Sequence, residues 1–403
     1  VTVLRWAFPV FVVINLSRGG FNSVWAEDGQ EFLTDALTLP WFEPFATPFN
    51  GYFHTLARAC FALIALFPVP WAAALNAGTA AVLTAALACL VAAAARDRLG
   101  TAAGLVIGAS AAVPMGYAPN TLAQLQFPLV YAGLWMLLWT PSTRAARVVA
   151  VALPGLAALS SMLGLLLVPV ALLRTARRRD RDSVLRALAL LPGAALQLGS
   201  LLLGASRRDV GEQPDLDPFS VAGTYLRWGV PRSFLGDAWL AEPVTDPVGH
   251  RGLILLGLAV PVAVVVAALL RGTSQQQWRL ATFLAGFAAF AGAFQLAVHG
   301  VPESRYLVLI ALPNIAAAVA LAGSADPPGR SVPFVALATL VAVVGIANLR
   351  PGGYTATLPR WDTTVAGARA QCQAEPRLRR VTVHTAQWPV LGWKAVLPCD
   401  RLR

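Results

Sequence analysis

The chain has 403 residues, of which 57% are hydrophobic and only 13% charged, with a net charge of +11 and a mean hydropathy of +0.63. Soluble domains of that composition would carry unusually apolar surfaces. The apolar residues instead fall in runs of about 15–22, the length that crosses a hydrocarbon layer of roughly 30 Å, so the sequence reads as an all-α polytopic membrane protein. Lys394 is the only lysine, and the arginines fall between apolar runs; the positive-inside rule accounts for that placement and argues against nucleic acid as a partner.

The first run, residues 3–17 with Arg5 at its cytoplasmic edge, is read as a span, because no Ala-x-Ala-type cleavage site follows it. A first outer loop, 18–72, follows; its apolar part, 55–72, begins with Arg58 near its start and closes on Pro68-Val69-Pro70. Charge decides whether 55–72 crosses. If it did, Arg96 and Arg98 would fall outside, against the positive-inside rule; an interfacial helix restores the order. The remaining spans are then about 76–95, 101–117, 127–140, 148–160, 163–173, 186–204, 251–270, 280–298, 306–323 and 333–349. That gives about eleven, with the amino terminus cytoplasmic and the carboxyl terminus extracytoplasmic in a plasma (inner) membrane. The short runs 148–160 and 163–173 suggest a hairpin, turning at Ser160-Ser161, that does not fully cross. The arginines at 96/98, 144/147, 174–186 and 271/279 face the cytoplasm in this arrangement.

The outer face then holds the loop 18–72, the turn 118–126, the loop 205–250 and the turn 299–305. Residues 350–403 form a small appendage beyond the 1–349 transmembrane domain, with short strands suggested by Val381-Thr382-Val383-His384 and by Trp388 and Trp393. Cys372 and Cys399 lie in this polar tail and suggest a disulfide, which fits an extracytoplasmic tail. Cys60 and Cys89 lie in apolar runs and are read as packing residues. No internal repeat is visible.

Glu27 and Asp28, in Trp25-Ala26-Glu27-Asp28-Gly29, are the sharpest signal. One of them could serve as a general base toward an acceptor hydroxyl, or both could cap a helix starting near Gly29. Glu31 and Asp35 are read as a solvated helix face. In Gly51-Tyr52-Phe53-His54, with Arg58 four residues on, His54 and Arg58 share a helix face. Arg58 heads an apolar segment and needs an anionic partner: Glu27, Asp28 or a lipid phosphate, which a guanidinium binds in a fork, unless it snorkels to head groups. Arg305 and Tyr306 sit at the mouth of a span, suited to a phosphate, while Glu303 could pair with Arg305. Asn120, Gln124 and Gln126 could bond a sugar or merely end two helices. The charges of 205–250 (Asp215, Asp217, Arg227, Arg232, Asp237, Asp246) are read as mostly solvated. The chain has no Walker-type phosphate loop, His-Glu-x-x-His, Cys-x-x-Cys or Gly-x-Ser-x-Gly, which argues against ATP-driven transport, zinc protease, redox and serine hydrolase chemistry.

This order of elements resembles the GT-C superfamily of membrane glycosyltransferases. Trp25 to Phe32 stands where that family carries a first-loop acid, Tyr52, His54 and Arg58 stand at its interfacial helix, and Arg305-Tyr306 at its late Arg-Tyr. The first loop also resembles that of actinobacterial multi-span membrane proteins with a Trp-Ala-Glu-Asp-Gly sequence. The resemblance implies an inverting transfer of a sugar from a polyprenyl-phosphate donor to an envelope glycan, lipid or protein. In it Asp28 is the first choice for the base and Glu27 the second, with Arg58 and Arg305 as phosphate contacts and Tyr52, His54, Asn120, Gln124, Glu303 and Tyr306 as further substrate contacts. It leaves a divalent metal open, since members differ. Two features depart from the commoner family patterns: the acids are ordered Glu-Asp, and the 118–126 turn lacks the Arg and Asp that some members carry. The other classes considered are a transporter or flippase of lipid-linked precursors, which would place its ionisable groups at mid-membrane, and a non-catalytic scaffold.

Overall fold

A computed structural model describes residues 2–112, 120–203, 214–240, 250–299, 304–323, 331–349, 358–386 and 392–403. The helices are α1 (Thr2–Ser17), α2 (Thr34–Thr38), α3 (Glu43–Ala46), α4 (Thr55–Ile64), α5 (Ala72–Leu99), α6 (Thr101–Ala112), α7 (Gln126–Leu138) and α8 (Arg144–Ser160). They continue with α9 (Leu167–Arg178), α10 (Arg181–Leu202), α11 (Pro218–Thr224), α12 (Val230–Leu235), α13 (Arg251–Leu270), α14 (Gln275–His299), α15 (Ser304–Ala322), α16 (Val332–Asn348) and α17 (Trp361–Ala374). The two strands, β1 (Arg380–His384) and β2 (Lys394–Pro398), pair antiparallel in the appendage.

The protein is a multi-pass helical membrane protein. Five of its helical stretches (Val69–Leu99, Arg181–Leu202, Arg251–Leu270, Gln275–His299 and Arg305–Ala322) are long and apolar enough to cross a bilayer unaided. Contacts at the helix ends show the alternation of the whole bundle. At one end Ala123 meets Asp28, Ser161 meets Gln126, Gln197 meets Phe53 and His299 meets Tyr306; this is the loop end. At the other, Arg98 meets Leu138, Arg174 meets Ser183 and Arg271 meets Ser331; this is the arginine end. Among the described residues, eleven helices run between the two: α1, α5 to α10 and α13 to α16.

α4 has ten residues, about 15 Å at the helical rise, too short to cross, and it lies with the first loop. The hairpin of α8 and α9 does traverse the bundle, contrary to expectation. Its turn at Ser161 reaches Gln126 at the start of α7, and Arg174 reaches the Leu137 carbonyl at the other end of α7. The apolar runs looked short because both helices extend into their flanking arginines.

Between membrane helices, lipid is as apolar as leucine, so close backbone approach carries much of the packing. The pair α5 and α6 shows this: a Cβ added at Gly104 would stand 2.7 Å from the Ala92 carbonyl oxygen, and one at Gly108 2.6 Å from the Ala92 Cβ. The ends are fixed by polar side chains. Asp180 accepts from the Ser183 amide at the start of α10, and Ser331 from the Phe334 amide at the start of α16.

The C-terminal appendage is clamped to the first loop. Cys372 and Cys399 form a disulfide. The Trp361 indole, 2% exposed, donates to the Val69 carbonyl, the Lys394 amide to Gln30 Oε1 and the Val396 amide to Thr34 Oγ1. Trp388 lies outside the described residues.

Candidate functional site

The Glu27-Asp28 pair is set by an unusual backbone. Ala26 is buried at φ 36°, in the left-handed region that costs a residue with a Cβ about 1–2 kcal/mol, and Asp28–Leu33 is wound as a π-helix before α2 continues it. Both features gather at functional sites. Neither acid caps the helix: Glu27 occupies the cap position without a side-chain cap bond, and Asp28 points away.

Asp28 is fully buried. Its Oδ1 accepts from the Ala123 amide at 3.0 Å, across 95 residues of sequence, while Oδ2 and the neighbouring Thr121 hydroxyl make no hydrogen bond among the described residues. Burial, and then the charge of Glu27, pushes the Asp28 carboxyl up to about 8. Asn76 and Asn120 hold the 120–125 turn against α5: Asn76 Oδ1 accepts from the Leu122 amide at 3.1 Å, and Asn120 donates to the Ala77 carbonyl at 2.9 Å. Gln124 is buried in the same turn.

Glu27 lines a cleft of about 130 Å³ at the loop end of the bundle. Facing it is Arg305, whose Nη1 lies 3.8 Å from Glu27 Oε1, longer than a charge-assisted hydrogen bond of about 2.7–2.9 Å. The Arg305 guanidinium also lies over the Trp25 and Tyr306 rings, 5.7 and 4.9 Å from their centroids. Tyr306 in turn stacks on His299 at 3.8 Å. Tyr52 and Trp393 complete an aromatic wall, and Gln126, Ser161 and Gln295 supply polar groups. Gln295 is 2% exposed and its Oε1 has no hydrogen-bond partner among the described residues, leaving a buried acceptor at the cleft wall.

Of the residues singled out from sequence, the cleft therefore brings together Glu27, Tyr52, Gln126, Arg305 and Tyr306. Asp28, His54, Arg58, Asn120 and Gln124 do not line it, and Glu303 lies outside the described residues. Arg58 is 3% exposed and pairs with Asp35 at 2.6 Å, packing over Phe32. Its partner carboxylate is thus neither of the first-loop pair, and Asp35 is not a free solvated face. The His54 ring packs against Phe32, Phe49 and Tyr52; burial, and then Arg58, pulls the imidazole down to about 3, so it is neutral at physiological pH. Arg232 and Asp237 are a largely buried pair at 3.4 Å rather than solvated charges; Asp246 lies outside the described residues.

Sequence reasoning assigned no role to Gln295, His299 or Trp393. A lone amide in the apolar run of α14 was a usable signal, since a polar group there is costly without a purpose. Trp393 had none, because only the folded appendage brings it to the cleft. Among the described residues no group of three or more His, Cys, Asp and Glu side chains is placed to hold a metal.

Fold and site together define a multi-pass helical membrane protein with a carboxylate–guanidinium pair at the mouth of its bundle. No family profile and no curated protein matches the chain. Among solved structures, the crystal structure of ArnT from Cupriavidus metallidurans in the apo state is similar, with 16% identity over 93% of this chain and 80% of that one and a TM-score of 0.35. That likeness is too distant to carry fold or function.

Proposed function

We propose that the protein is a membrane glycosyltransferase of the GT-C type that moves a sugar from a polyprenyl-phosphate donor to an envelope glycan, lipid or protein at the outer face. The observation that carries this reading is the Glu27–Arg305 pair, 3.8 Å apart on the wall of one aromatic cleft. In the transfer, the acceptor oxygen attacks the anomeric carbon and gives its proton to the Glu27 carboxylate. The bond from that carbon to the phosphate oxygen breaks, and the phosphate leaves with the electron pair, stabilised by the Arg305 guanidinium. Tyr52, Tyr306 and Trp393 offer ring faces to the sugar, and Gln295 Oε1 offers an acceptor to one of its hydroxyls.

Glu27 replaces Asp28 as the preferred base, because Glu27 lines the cleft while Asp28 is buried away from it. Asp28 is a positioning residue that ties the first loop to the 120–125 turn. The described carboxylates all lie in loops, in the appendage or at helix ends, which favours an enzyme over a transporter carrying ionisable groups at mid-membrane.

The test uses purified protein in liposomes supplied with polyprenyl-phosphate sugars and follows release of polyprenyl phosphate. Glu27→Gln should lower kcat by about 10²–10⁴, and Arg305→Ala should raise the donor KM more than it lowers kcat. Full activity in Glu27→Gln would reject the assignment.

A further inference from the structure

At the arginine end of the bundle, a second cleft of about 240 Å³ opens between the end of α5, the end of α7, α9 and the start of α14. Arg98, Arg174, Arg177, Arg178 and Arg279 line it, and no acidic side chain does. Two of the five have a structural task. The last carbonyls of α7 lack helical partners, and Arg98 donates to Leu138 and Arg174 to Leu137. Arg178 donates to the Thr140 hydroxyl at 2.9 Å. Arg177 and Arg279 form no hydrogen bond or ion pair among the described residues.

The charge does not balance. A helix C-terminus carries about half a negative charge, and Asp180, the carboxylate acting on Arg174 and Arg178, is already engaged by the Ser183 amide. Asp97, next to Arg98 in sequence, is taken up by the Trp139 indole and by Arg96, so the five cations converge where no carboxylate lines the wall among the described residues. Topological retention of arginine at the cytoplasmic face needs positive charge near the membrane, but not its convergence on one cavity. Each guanidinium has five N–H donors, and anchoring Arg98 and Arg174 to α7 fixes their forks while leaving donors unused. Below the arginines the wall becomes apolar, through Val170, Leu173, Leu280 and Phe283.

We propose that this cleft binds the phosphate of an anionic phospholipid of the cytoplasmic leaflet, with the acyl chains lying along the apolar wall. The arginine fork matches a phosphodiester, and basic pockets between membrane helices on this side suit anionic head groups. The cleft has room for a head group, and its apolar side continues toward the hydrocarbon layer. It is distinct from the Glu27 cleft and independent of the reaction proposed there.

The test is lipid retention by the purified, delipidated full-length protein, measured by native mass spectrometry with phosphatidylglycerol against phosphatidylcholine. Wild type should retain phosphatidylglycerol preferentially. Arg177→Gln and Arg279→Gln, which touch no cap, should each weaken it about fivefold, the effect of one cation near an anionic surface. Arg227→Gln, exposed at the loop end, should leave it unchanged. Equal retention of the two lipids by wild type would overturn the proposal even if the variants failed to fold, as would unchanged retention in well-folded variants. A third arm adds inorganic phosphate alone. If millimolar phosphate raises the Tm and displaces phosphatidylglycerol completely, the ligand is a soluble phosphate and the lipid assignment is wrong; failure to displace supports it.

Discussion

At Asp28 the folded chain holds a carboxyl with a pKa raised from 3.8 to about 8 by burial and by the adjacent Glu27. The folded state thus binds this proton more tightly than the unfolded state does. Its contribution to stability is complete below about pH 4 and is lost as the pH rises through 8. Asp28→Asn is neutral at every pH, so its Tm should fall less than that of wild type between about pH 4 and 8, giving a flatter profile; parallel profiles would show that the Asp28 carboxyl is not raised. Arg58 makes the opposite case. Removing one partner of a buried pair strands the other charge, at a cost of about 3–5 kcal/mol, so Arg58→Ala should lower stability sharply, and Arg58→Met with Asp35→Leu should restore most of it. A well-folded Arg58→Ala with a raised donor KM would instead return Arg58 to the substrate. The acids and arginines were all visible in the sequence, but their pairing was not. Asp28 meets an amide 95 residues away, and no local spacing encodes that contact.

Among the elements, α7 is short, with 13 residues, and its arginine-end carbonyls are met by side chains from three other helices. Arg186, 1% exposed, donates to the carbonyls of Met136 at 2.5 Å and Trp139 at 2.8 Å. Hydrogen bonds from a charged donor contribute about 1.5–3 kcal/mol each. Arg186→Leu should therefore destabilise the protein by about 3–6 kcal/mol, read as a lower Tm, whereas Arg227→Gln should leave it unchanged. An unaltered Tm in Arg186→Leu would mean that water caps α7 equally well. Charge bias grouped these arginines at one end of the bundle, but it did not give their role as caps. The same charge argument kept α4 from being counted as a span. The α8–α9 hairpin was underestimated because a hydropathy reading stops at the first arginine, whereas a helix continues through it.

For the whole molecule, the alternation of the eleven helices puts the Glu27 cleft and the appendage at one end and the arginine clusters at the other. An impermeant maleimide applied to intact cells should label Thr363→Cys and reach Ser142→Cys only after permeabilisation; both sites are exposed. The reverse pattern would invert the protein and place the cleft in the cytoplasm. The sequence by itself determined the class, the order of the spans and which loops share an end of the bundle. Those properties depend on the length of apolar runs and on accumulated charge, both additive along a chain. Tertiary structure alone decided that Glu27 rather than Asp28 lines the cleft, that Arg58 belongs to Asp35, and that Trp393 and Gln295 join the site. These outcomes depend on which helix faces meet. That is set by close packing of small residues and by burial of individual polar atoms, and neither leaves a periodic trace in the sequence.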